Sequence, residues 1–396
     1  MSMQMQSSPA GDMLQGLQLE LAQRAELGLL RQRRMLQGMQ GAHVVINGKR
    51  LLSFCSNDYL GLASHPALIS AMSKAAQQYG AGSGASHLVT GHQTAHEVLE
   101  QRLQQFMAMP AVLLFSTGYM ANLGIITALC GRDDEIFADK LNHASLNDAA
   151  VLSRASLKRY AHNDITSLER LLAQSTARRK LVVADAVFSM DGDIAPVPAL
   201  LALCERYDAY LMLDDAHGFG VLGAQGRGIL EHFNLSSPRI IYMATLGKAA
   251  GSAGAFVAAE QVVIDYLLQS ARSYIYTTAS PAPVAAAALA GVDIISSEPQ
   301  RRQHLQQLIT HLQQHCQLQR WQLLPSNTAI QPIIIGSNAE ALRVSKHLQE
   351  HGILVAAIRP PTVPKGTARL RISLSAQHTE QDVAHLLHAL HEIEAT

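Results

Sequence analysis

From Leu14 onward, leucines recur at helical spacing as Leu14, Leu17, Leu21 and then Leu27 and Leu30, which predicts a helix over about residues 14–38. The period then shortens. Val44 to Cys55 alternates around Asn47-Gly48 and predicts a small hairpin. From about residue 65, helical stretches alternate with short apolar runs, placing strands at Val112–Phe115, Glu135–Ala138, Leu181–Ala184, Leu211–Leu213 and Ile240–Ala244. That alternation predicts an α/β fold with a large, doubly wound, mostly parallel sheet. Each run ends in polar or small residues: Ser116-Thr117-Gly118, Asp139, Asp185, Asp214 and Thr245. In open α/β sheets ligands lie beyond the carboxyl ends of the strands, so these ends are expected to face one common site.

After about residue 290 the pattern becomes helix, Ile330–Ile335, helix Ala339–His351, Ile353–Ala356, Ala368–Ser375 and a last helix. This predicts a smaller C-terminal α+β domain. The expected division is an N-terminal helix and hairpin over 1–60, a large domain over 61–290 and a small domain over 291–396. Between the last predicted strands, Arg359-Pro360-Pro361-Thr362-Val363-Pro364 is stiffened by its prolines, which would hold the Arg359 guanidinium in place.

Composition excludes more than it assigns. With 396 residues, 48% of them hydrophobic, the chain can bury a large core. Formal net charge is zero, and no sustained basic face follows the three arginines between Leu30 and Leu36, so neither nucleic acid nor an anionic membrane is expected as partner. Cys55, Cys130, Cys204 and Cys316 are scattered without a Cys-x-x-Cys pair, which indicates no disulfide framework and no zinc site. The first twelve residues lack a signal-peptide pattern, and no apolar run reaches the roughly 18–20 residues of a membrane span. A soluble cytoplasmic protein is expected.

Candidate chemistry centres on Lys248. It follows the apolar run Ile240–Ala244 in a bend of small residues, where desolvation lowers a lysine toward nucleophilic use. Upstream, Tyr210-Leu211-Met212-Leu213 runs into Asp214-Asp215-Ala216-His217-Gly218. A Schiff-base lysine with an aspartate for a pyridinium nitrogen is the protein equipment that pyridoxal phosphate requires. A buried aspartate needs a cationic partner, which such a nitrogen would supply. Ser116 to Asn122 follows a strand and opens a helix, whose free N–H groups suit a phosphate. The glycine-rich stretch Gly80 to Ser86 follows a helical segment, so a dinucleotide loop is excluded and a turn or substrate-lining role is expected; no P-loop surrounds Lys248.

These motifs join Ser56-Asn57-Asp58-Tyr59-Leu60-Gly61-Leu62, Gly82-Ser83-Gly84, His96 with Leu99-Glu100, Asn142-His143-Ala144-Ser145 and Phe188-Ser189-Met190-Asp191-Gly192-Asp193. In this order, over nearly the whole chain, they resemble the α-oxoamine synthase family of fold-type-I pyridoxal phosphate enzymes. The resemblance implies pyridoxal 5'-phosphate as cofactor, with Lys248 as its Schiff-base lysine. It also implies His143 stacked on the ring, Asp214 at the ring nitrogen and His217 at the phenolic oxygen. Gly118 and Tyr119 would bind phosphate through the backbone, Thr245 through its hydroxyl, and Ser189 would lie near the cofactor. Thr278 would reach a phosphate of the neighbouring subunit, implying a homodimer. Arg359 would hold the amino-acid carboxylate, Arg31 would meet the acyl donor, and Asn57 would line the substrate side.

Within the family, Ile358 to Pro364 with Thr367-Ala368-Arg369-Leu370-Arg371 is most similar to the branch that condenses L-alanine with a pimeloyl thioester, carried on coenzyme A or acyl carrier protein, for biotin synthesis. Glycine- or serine-using relatives and aminotransferases are the alternatives in the same cofactor class. A non-catalytic binding subunit is disfavoured by Lys248, and a nicotinamide enzyme by its missing fingerprint. Three departures stand out. Asp185 replaces a glutamate, Ala85-Ser86-His87 replaces Gly-Ser followed by Gly or Arg, and the small-residue run after Lys248 is a variant.

Overall fold

A computed structural model describes residues 12–395. The chain opens with a helix at Met13–Glu26. It does not continue to residue 38. Gly28 takes φ +65°, its N–H bonds Ala25 O at 3.0 Å, and Leu29 N–H bonds Arg24 O at 2.7 Å. This is the Schellman stop that a glycine permits, so Leu27 and Leu30 are not helical despite their spacing. Beyond it Leu36 bridges Ile46, extending the hairpin of β1 (His43–Ile46) and β2 (Lys49–Ser53). Asn47 and Gly48, at φ 51° and 73°, make the turn, since positive φ at both positions matches the twist of paired strands.

The central sheet has seven strands: β3 (Ala111–Phe115), β4 (Glu135–Asp139), β5 (Ser156–Tyr160), β6 (Lys180–Asp185), β7 (Tyr210–Asp214), β8 (Ile240–Thr245) and β9 (Ala255–Ala259). Their order is β3-β9-β8-β7-β6-β4-β5, parallel except for β9, which is antiparallel to both neighbours. All five expected strands are present. β5 and β9 were not expected: β5 is a polar edge strand, and β9 is made largely of alanine. Helices cover both faces, as apolar strands buried on two sides require. Ile125, Leu146 and Leu267 pack on one face; Leu68, Leu103, Leu200 and Ala288 pack on the other.

A second sheet, of order β10-β11-β14-β13, is antiparallel: β10 (Gln322–Leu323), β11 (Ile330–Gly336), β13 (Ala356–Ile358) and β14 (Ala368–Ser373). The run expected as one strand at Ile353–Ala356 breaks at Val355. Its first half, β12 (Ile353–Leu354), pairs parallel with β2, so the N-terminal hairpin shares a sheet with the C-terminal part of the chain. Arg369 and Arg371 of β14 reach back to the large sheet: Arg369 pairs with Asp191 at 2.6 Å, and Arg371 Nε donates to Ser189 O at 2.6 Å. The site lies where these two layers meet.

Candidate active site

β8, β7, β6 and β4 are consecutive neighbours, so Thr245, Asp214, Asp185 and Asp139 end side by side at one rim of the sheet. Two cavities open there, of about 210 Å³ and 950 Å³, and His143, Ser189, His217 and Lys248 line both.

The smaller, deeper cavity is walled by Gly118, Tyr119, Asn122, His143, Asp214, Ala216, Thr245 and Lys248, among others. Asp214, 6% exposed, forms its floor; Oδ2 accepts from Asn122 Nδ2 at 2.7 Å and Oδ1 from Ala216 N–H at 3.0 Å. Among the described residues no Lys, Arg or His side chain pairs with this carboxylate. At the other end, Thr117 caps the Gly118–Leu129 helix through Met120 N–H, while the N–H groups of Gly118 and Tyr119 meet no acceptor among the described residues. An anion is favoured at such a helix start. Thr245 Oγ1, on the next wall, donates to Gly254 O at 2.9 Å.

Lys248 Nζ lies 2.8 Å from His217 Nε2. Burial lowers the lysine to about 8; Asp214 opposes the shift and Arg371 adds to it. His217 is held well below the usual imidazole range by burial and then by the Lys248 and Arg371 charges, so it is neutral. With Nε2 accepting from the lysine, its Nδ1–H faces Tyr59 Oη at 2.6 Å, and that hydroxyl donates to Asn57 Oδ1 at 3.2 Å. Asp185 is pushed well above the carboxylate range by burial and by Asp214. It accepts His143 N–H at 2.9 Å, and Asn142 bridges Val183 O and Asp185 N–H, so the loop carrying His143 is pinned to β6.

The larger chamber is lined by Arg31, Asn57, Lys140, His143, Ser189, Met190, Thr362, Val363 and Arg371. Arg31 donates to Thr362 Oγ1 at 3.4 Å across its mouth. Arg359 does not line the chamber: its guanidinium donates to the Gly28 carbonyl. Arg371 does, with Nη1 on Asn57 Oδ1 at 3.1 Å. Thr278 is exposed and lines neither cavity of its own chain. Thus the structure gathers Lys248, His143, Asp214, His217, Gly118, Tyr119, Thr245, Ser189, Asn57 and Arg31, and leaves Arg359 and Thr278 outside.

Sequence reasoning gave no role to Asn122, Tyr59 or Arg371, although each lies inside a quoted motif. The signal for Arg371 was the alternation Arg369-Leu370-Arg371-Ile372, where the leucine and isoleucine are fully buried and the arginines share the opposite face.

Sheet topology, strand-end site and strand-end lysine together define the fold-type-I pyridoxal phosphate transferase class. Residues 49–390 match the family model for aminotransferase class I and II. A serine palmitoyltransferase solved with pyridoxal phosphate bound superposes at TM-score 0.90 with 28% identity, covering 97% of this chain and 98% of the other. An 8-amino-7-oxononanoate synthase structure from Francisella tularensis gives TM-score 0.76 and 33% identity over 87% and 97%. The 8-amino-7-oxononanoate synthase of Methylobacillus flagellatus is 75% identical over 97% of each chain, and that of Nitrosospira multiformis 61% over 96% of each. The chain belongs to the 8-amino-7-oxononanoate synthase family.

Proposed function

We propose that this chain binds pyridoxal 5'-phosphate and joins L-alanine to a pimeloyl thioester with loss of carbon dioxide, giving 8-amino-7-oxononanoate for biotin synthesis. The observation that carries the reading is a buried Asp214 carboxylate without a cation at the floor of a cavity whose wall holds Lys248. A protonated pyridine nitrogen fits that floor, and the free N–H groups of Gly118 and Tyr119 fit a phosphate. When bound, the cofactor supplies an electron sink for negative charge at the amino-acid Cα.

The remaining work falls to the chain. Lys248 would hold the cofactor, and its amine is the group placed to take the Cα proton as general base. Its lowered proton affinity suits that exchange near neutral pH. Neutral His217, aligned by Tyr59, would sit beside the phenolic oxygen, and His143 would stack on the ring. Ser189 would border the cofactor, with Thr245 at the phosphate. Arg371 is the better-placed carboxylate anchor, because it lines the chamber and its charge is felt by both Lys248 and His217. Arg359 is the alternative anchor after a side-chain turn. Arg31, Thr362 and Asn57 would meet the acyl donor, on coenzyme A or on acyl carrier protein, from the mouth.

A homodimer in the cytoplasm completes the reading, with exposed Thr278 reaching a partner's phosphate. Among the described residues no helix is long and apolar enough to cross a membrane, and all four cysteines are free thiols. The division of the chain at about residues 60 and 290 belongs to the same reading. Carboxyl-labelled L-alanine tests it: labelled carbon dioxide should be released only with pimeloyl thioester present and never by Lys248→Ala. Release without thioester, or by the alanine variant at near-native rate, sinks it.

A further inference from the structure

Away from the cavity, the π-turn His87–Gly91 leads into the helix Thr94–Met107 and gathers His87, His92, His96, Glu97 and Glu100. His96 has nothing to offer a ligand. Its Nδ1 accepts Gln93 N–H at 3.0 Å and its Nε2 faces Ser280 O at 2.7 Å. His87 is buried flat against the Tyr274 ring, with centroids 4.9 Å apart. A neutral imidazole carries one N–H and one bare ring nitrogen. His87 Nδ1 lies 2.9 Å from His92 Nδ1, which places a single hydrogen between the two rings.

The other nitrogen of His92 meets two carboxylates. Nε2 is 3.4 Å from Glu97 Oε2 and 4.0 Å from Glu100 Oε2, and the three atoms lie within 4.8 Å of one another. Each carboxylate has its second oxygen engaged elsewhere: Gln101 Nε2 donates to Glu97 Oε1 at 2.8 Å, and Leu114 N–H to Glu100 Oε1 at 2.9 Å. Both therefore turn a free oxygen toward the same nitrogen. Among the described residues no lysine or arginine pairs with either.

We propose that His92 Nε2, Glu97 Oε2 and Glu100 Oε2 form a binding site for a divalent cation of the zinc class, with His87 fixing the His92 tautomer. Ligands about 2.0–2.2 Å from a tetrahedral zinc stand roughly 3.3–3.5 Å apart, so Glu97 is in place and Glu100 needs a small turn. When His87 Nδ1 accepts from His92 Nδ1–H, the bare Nε2 points at the ion, the outer hydrogen bond that metal-bound histidines make. Two carboxylates neutralise the divalent charge. A mixed nitrogen and oxygen set favours zinc or cobalt over magnesium, which prefers oxygen in octahedral geometry. Glu97, whose side chain is 55% exposed, leaves an entry path and a position for water. The scattered cysteines gave no hint of a metal, and the His87 departure acquires a purpose that does not depend on the reading of the main site.

Chelator-treated holoenzyme titrated with Co²⁺, then Zn²⁺, tests this by visible d–d absorption and calorimetry. One cation per chain is expected. Glu97→Gln and His92→Gln should each weaken binding at least about tenfold, and His87→Phe by roughly 10–100-fold. Cofactor content and turnover of Glu97→Gln should match wild type, because Glu97 is exposed and Gln keeps its shape. No stoichiometric binding would mean that a proton on His92 serves the two carboxylates, and would overturn the site. Unchanged affinity in Glu97→Gln would do the same by placing the ion elsewhere.

Discussion

At the scale of single residues, Asp185 and Asp214 occupy paired positions on adjacent strands. Burial and the neighbouring Asp214 push the Asp185 carboxyl well above the carboxylate range, while its oxygen holds the His143 backbone. Asp185 makes that contact with the shorter side chain that stands where the resemblance implies a glutamate. Lys248, Asp214 and His217 were legible because strand-end position, residue type and order all agree. The choice between two arginines was not legible, because it depends on where a proline-rich loop turns its side chain. Arg371→Ala is expected to raise the KM for L-alanine by roughly 10–100-fold, the loss of a charge-assisted carboxylate contact. Arg371→Lys should recover part of it, and Arg359→Ala should leave KM near native. Steady-state kinetics with the reverse ranking would return the carboxylate to Arg359.

At the scale of elements, the site depends on loops tied to strand ends. His162 lies between Asp139, at the end of β4, and Asp193, in the turn that carries Ser189, with contacts of 3.1 and 2.8 Å. Burial works against its charge, yet hydrogen bonds and charge from both aspartates outweigh that and raise it from 6.5 to about 10. A histidine whose folded value is raised contributes stability fully below the unfolded value and loses it as pH rises through the folded one. Thermal melts of the wild type should therefore fall from about pH 6.5 to 10 by more than those of His162→Gln; parallel curves would remove this clamp from the account. Apolar periodicity revealed the buried parallel strands but not β5, whose outer positions face solvent, nor the end of the first helix. There Gly28 decides against a leucine pattern that continues past it.

At the scale of the whole molecule, two sheets meet through Arg369 and Arg371, and the chamber lies in that seam. Both sheets follow from apolar runs and their spacing, whereas the parallel pairing of β2 with β12, across some 300 residues, carries no local sequence signal. Leu14, Leu17 and Leu21 lie 48–61% exposed on a helix with no buried residue. In the proposed homodimer a second copy of the chain would cover them, and Thr278 would reach the partner's site. Leu17→Glu with Leu21→Glu should shift the mass in light scattering toward monomer and lower activity; an unaltered dimer would place the interface elsewhere. The most direct test of the central claim is product identification by mass. Purified protein is supplied with pyridoxal phosphate, pimeloyl thioester and, separately, L-alanine, glycine and L-serine. The account predicts 8-amino-7-oxononanoate with alanine, and little or no product with the other two. Condensation with glycine or serine but not alanine would contradict it.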